Sequence, residues 1–87
     1  MLLSQNMNKD EIEEKVVSII KDKCGYSDYD VTAETDVYKD LCFDEFAMAQ
    51  LLSYIETEFN IVINDEFNNA NTVNDIVKII ENIYLNK

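Results

Sequence analysis

The alternation of apolar and polar positions divides the chain into three helical stretches and two linkers. From Lys9 to Cys24, Ile12, Val16, Ile19 and Ile20 recur at i, i+4, i+7 and i+8, with Glu and Lys on the other side. Gly25 follows as a left-handed stop. From Glu45 to Phe59 the stripe runs through Phe46, Ala49, Leu52, Ile55 and Phe59, and Asp44 stands ahead of it as the N-cap. The third stretch starts at a capping Thr72, with Asp75 three residues on. Its stripe of Val73, Ile76, Val77, Ile80, Ile83 and Tyr84 is the cleanest in the chain.

The linkers differ in character. Residues 26–41 are long for a connection between helices, and Val31, Val37, Tyr38 and Leu41 predict that the segment is packed down rather than free. Residues 64–71 are polar and Asn-rich, with Phe67 as one large apolar anchor, enough for a helical turn or two. "IVI" at Ile61 to Ile63 has strand composition but no second strand to pair with, so it is expected as an extended connector plugging the core. The predicted fold is all-α: a small bundle of three long helices and a short third one, with a long loop between the first two.

Composition sharpens this in three ways. Eighty-seven residues at 47% hydrophobic make one globular core, and the lack of Pro with a single Gly argues against an all-β fold. We expect the domain over residues 9–87 and a flexible N-terminal extension over residues 1–8. The net charge is −11, from 18 acidic and 7 basic residues and no His. That field disfavours nucleic acid and membrane surfaces and favours a protein partner with a basic or mixed basic and apolar patch. Cys24 and Cys42 are too few for a disulfide framework, and "MLLSQN" has neither a basic leader nor a cleavage site. No apolar run approaches the roughly 20 residues of a membrane span. The expectation is a cytoplasmic protein, monomeric on its own.

Catalytic chemistry is not evident. Without His there is no Ser-His-Asp or Cys-His arrangement, and neither a phosphate-binding loop nor a zinc spacing occurs, so no enzyme is expected. The acids from Asp28 onward fill loop positions 1 and 3 of a calcium hand. Ala33 then stands where the glycine is required and Lys39 where the bidentate glutamate belongs, so no specific metal site is expected.

Several short motifs, in order, resemble the acyl carrier proteins. "IEEKVVSIIKDKCG" is similar to that family's first helix, and "VTAETDVYKDLCFDEF" to the stretch its members write as V-T through D-L-G-x-D-S-L. "LLSYIETEFNIVIND" resembles the central helix running into F-x-I-x-I-x-D, and "TVNDIVKII" the start of the last helix. The match runs without gaps from Ile12 to Ile63 and covers about Asp10 to Tyr84; only the short third helix is shorter, by one residue. The resemblance implies a four-helix acyl-carrier-type bundle. It also implies a function that rests on one serine, which carries acyl groups on a 4′-phosphopantetheine arm joined through a phosphodiester.

At that serine's position stands Glu45. A carboxylate forms only a hydrolysable mixed anhydride with phosphate, so no 4′-phosphopantetheine is expected on Glu45 and no other cofactor is implied. The resemblance then leads to a carrier-shaped, non-catalytic interaction module, a scaffold, regulator or decoy linked to fatty-acid, polyketide or related biosynthesis. The alternative is a working carrier whose arm is attached elsewhere or whose functional form has the serine. Glu45 itself is either a first-turn acid, worth about 0.3–1 kcal/mol through the helix dipole, or an anion standing in for the phosphate. The partner-binding residues implied on the central helix are Asp44, Glu45, Met48, Gln50, Tyr54 and Glu56. Cys42 replaces the glycine of D-L-G and is read as a small, half-buried residue rather than a thiol carrier.

Overall fold

The computed structural model describes residues 7–85, and these form three α-helices and one short 3₁₀ helix: α1 (Lys9–Lys23), α2 (Glu45–Phe59), the 3₁₀ helix (Asp65–Asn69) and α3 (Val73–Leu85). The all-α bundle expected from the pattern is therefore present, in the order of helices that the resemblance implies, the short element taking the tighter 3₁₀ form. Each α-helix starts where a polar side chain satisfies free backbone N–H groups. At α1, Asn8 and Glu11 form a reciprocal capping box, at 2.9 and 3.0 Å. At α3, the Thr72 hydroxyl accepts from the Asp75 N–H and the Asp75 carboxylate accepts from the Thr72 N–H, both at 3.1 Å.

The helix ends are as local. Gly25, at φ +86°, lets the chain turn back so that the Tyr26 N–H reaches the Lys21 carbonyl. Asn60 closes α2 in the left-handed region. Beyond it Ile61 and Ile63 point into the core while Val62 is 75% exposed, the two-residue alternation of an extended segment. The Glu56 carboxylate accepts from the Ile63 N–H at 2.8 Å and holds that connector down.

The core is a single cluster. Ile12, Val16, Ile19 and Ile20 of α1 meet Val73, Ile76, Val77 and Ile80 of α3, and α1 also packs on α2. The long loop contributes Val31, Val37 and Leu41 to it, as expected, but Tyr38 stays 39% exposed. At the chain's start, Met7 packs against the core and takes a long contact from the Tyr84 hydroxyl, 4.0 Å, so the end of the predicted extension is engaged. Residues 1–6 lie outside the described part.

The stripe expected on α2 fails. The buried side of α2 is Met48, Leu51, Ile55 and Phe59, whereas Phe46 and Ala49 face solvent and Leu52 is half-buried. The true stripe is offset in the first half of the helix, where Met48 and Leu51 are buried in place of Phe46, Ala49 and Leu52, and coincides with the expected one at Ile55 and Phe59. The helix is apolar almost all round, so its period does not set its phase. That phase comes from outside the helix, from Phe43, buried just before it, and from the neighbours it packs on.

The Asp75 carboxyl is held below its usual value, first by the Asn71 N–H and then by the Thr72 N–H. Since its folded pKa lies below the unfolded one, the stability it contributes is complete above the ordinary carboxylate value. It is lost as pH falls through the depressed one. Asp75→Ala is expected to lower unfolding stability by about 1 kcal/mol at neutral pH. Urea melts at pH 7 and pH 3 should show that gap closing in acid.

Candidate functional site

Of the residues singled out by the sequence, Cys42, Asp44 and Glu45 lie at the start of α2, which the long loop delivers, while Gln50, Tyr54 and Glu56 lie further along the helix. Asp36 anchors that loop: its carboxylate accepts from the Tyr38 and Lys39 N–H groups at 2.9 and 2.8 Å, while Asp40 accepts from the Asp36 N–H at 2.9 Å. These acids are consumed by the turn, and among the described residues no three carboxylates or thiols converge on a point. The Phe43 N–H then donates to the Val37 carbonyl at 2.9 Å, which folds residues 37–43 into a closed hook.

Tyr26 braces the hook from the α1 side. Its hydroxyl donates to the Leu41 carbonyl at 2.8 Å, and its ring packs between Tyr29 and Phe43, with centroids 5.0 and 5.2 Å away. Burial, and after it the neighbouring Tyr29, push the Tyr26 phenol up. Sequence reading passed over this residue. An aromatic directly after a helix-ending glycine, with another at Tyr29, was the available signal.

Between brace and helix sits Cys42, exposed, with φ +59°. The turn from hook to helix needs the left-handed region, which glycine enters freely and a side chain enters at a cost of roughly 1–2 kcal/mol. The glycine of D-L-G in the resembling family answers this constraint. Cys42 meets it under strain and is exposed rather than half-buried as expected.

Asp44 caps α2, its carboxylate accepting from the Ala47 N–H at 2.8 Å. Glu45 is the first helical residue and is exposed, and Phe46 beside it is 70% exposed. No serine hydroxyl stands in this first turn, which reads Glu45, Phe46, Ala47 and Met48. Along one flank of α2, Glu45, Met48, Ala49 and Leu52 form a groove with Tyr38, Phe67 and Asn68, about 450 Å³ in volume.

Of the residues assigned to partner binding, Asp44, Glu45, Gln50 and Tyr54 are exposed on or beside α2. Met48 is not available as a contact side chain. It is 6% exposed, turned inward by the offset of the stripe, and gives the groove only part of its floor. Glu56 is half-buried and its carboxylate is already bonded to the Ile63 N–H, so it serves the fold. The groove walls Ala49, Leu52 and Phe67 were assigned to the core from the sequence; only Phe67 is fully buried.

The family model described as "Phosphopantetheine attachment site" matches residues 14–80, which takes in the hook, the site and the whole of α2. The acyl carrier protein of Thermotoga maritima is 36% identical over 75 residues, spanning 85% of this chain and 93% of that protein.

Two substitutions separate the local roles. Cys42→Gly is expected to raise stability by about 0.5–1 kcal/mol, strain relief less the added freedom of the unfolded chain. Asp44→Ala should lower it by about 1 kcal/mol through loss of the cap. Thermal unfolding followed by circular dichroism reads both, and the two shifts should have opposite sign.

Proposed function

We propose that this chain, which belongs to the acyl carrier protein family, uses the carrier shape as a protein-binding module and carries no acyl cargo of its own. Members of the family are carriers rather than catalysts, and the pantetheine arm is the group the family implies. The residues at the start of α2 do not fit that arm. Where a hydroxyl is needed to form a stable phosphodiester, the chain offers the carboxylate of Glu45. Among the described residues the serines are badly placed. Ser18 bonds to Asp22 on α1, Ser27 lies in the loop, and Ser53 sits eight residues into α2, about 12 Å along the axis.

The observation that carries this reading is the contrast at one position. The hook, the cap at Asp44 and the exposed first turn are those of a presentation site, and the side chain presented is an anion. Glu45 carries one negative charge where a phosphodiester would also carry one, at a helix terminus whose partial positive charge favours either. Binding then falls to the exposed side of α2, where Phe46, Gln50, Ser53, Tyr54 and Thr57 bring no charge and Asp44 and Glu45 stand at one end. A partner with a mixed basic and apolar patch matches that surface.

Coexpression with a broad-specificity phosphopantetheinyl transferase, followed by intact mass, tests the reading. The wild-type mass should not change, and Glu45→Ser should gain one pantetheine-sized increment. A wild-type increment mapped to any residue would overturn the proposal in favour of a working carrier.

A further inference from the structure

The groove beside α2 has one charged side chain on its wall. Tyr38, Met48, Ala49, Leu52 and Phe67 are apolar or aromatic, Asn68 is neutral, and Glu45 stands among them. Among the described residues the Glu45 carboxylate has neither a hydrogen-bond nor an ion-pair partner. The lining contains no Lys or Arg, and none occurs in the sequence from Asp40 through Val77. An apolar trough with an unpaired carboxylate on its wall is complementary to a chain-like cation.

We propose that this groove receives an arginine side chain from a partner protein. Its methylene stem lies on Ala49 and Leu52, and its guanidinium sits between the Glu45 carboxylate and the Tyr38 ring. The inference rests on Glu45 being unmodified and names what the presented anion recognises. Arginine suits the site better than lysine, because its planar head pairs with a carboxylate through two parallel bonds and also stacks on an aromatic face. The helix dipole does not cancel the attraction. Its N-terminal end amounts to roughly half a positive charge, against one full negative charge each on Asp44 and Glu45 in a chain of net charge −11. The same carboxylate works against a fatty acid anion in the trough.

Backbone amide NMR titrations with butylguanidinium, its neutral isostere butylurea, and pentanoate test this. Butylguanidinium should shift the amides of Tyr38, Glu45, Ala49, Leu52 and Asn68 and bind about fivefold tighter than butylurea, the scale of one partly exposed ionic contact. The advantage should shrink in high salt and vanish in Glu45→Gln, whose unchanged spectrum elsewhere would confirm its fold. Equal binding of the cation and the urea overturns the proposal. So does tighter binding of pentanoate, or shifts scattered over the acidic surface and indifferent to Glu45→Gln. A pantetheine increment elsewhere in the chain would sink the reading of the chain as cargo-free while leaving a guanidinium preference standing, so the two failures are distinguishable.

Discussion

The long first loop is held to the start of α3 by backbone hydrogen bonds, and the placement of everything between α1 and α2 depends on them. The first turn of a helix has N–H groups with no partner inside the helix. In α3 two of these are taken by the loop: Val73 donates to the Thr35 carbonyl at 3.0 Å and Asn74 to the Ala33 carbonyl at 2.9 Å. The exchange is returned when the Val37 N–H donates to the Asn71 carbonyl at 2.8 Å, beside the single bridge of Asp36 to Thr72. A segment that would otherwise add conformational entropy is thereby tied at its middle. Val37, completely buried, becomes the fixed point from which the hook to Phe43 is measured.

From that fixed point the site follows by short steps. The hook sets Leu41, Tyr26 clamps its carbonyl, and the chain then needs one left-handed residue to enter α2 with Asp44 in capping position. Cys42 supplies that conformation at a cost, which the interactions on either side hold in place. The outcome is a platform braced on both sides with an exposed first turn. The core supporting the platform is apolar. The ion pair of Lys15 with Glu58, at 3.1 Å, is exposed on both sides and contributes little.

Much of this was legible in the sequence, for identifiable reasons. The α1 and α3 stripes were read in the correct phase because each has a polar side opposite an apolar one. The caps at Asp44, Thr72 and Asp75 were read because a polar side chain at the edge of an apolar run has few other uses. The phase of α2 was not legible, since its apolar residues surround the axis, and with it went the assignment of Met48 to the surface and of Phe46, Ala49 and Leu52 to the core. Glu56 was read as a surface acid because its partner is a backbone N–H seven residues away. Pairings of that kind, like the reach of Tyr26 to Leu41, leave no periodic trace.

The sequence by itself therefore determined the number and extent of the helices, the caps of α2 and α3, the long and short linkers, and the carboxylate at the head of α2. All are local properties, set within a few residues by periodicity and by the polar side chains at helix ends. Only the tertiary structure decided which side of α2 is buried, that residue 42 must be left-handed, and that Tyr38 and Phe67 meet Glu45 across a groove. Those features depend on groups far apart in the chain, brought together by the packing of α1 on α2 and α3 and by the loop's hydrogen bonds to α3. Rotating α2 by one residue would conserve every local signal and abolish the site.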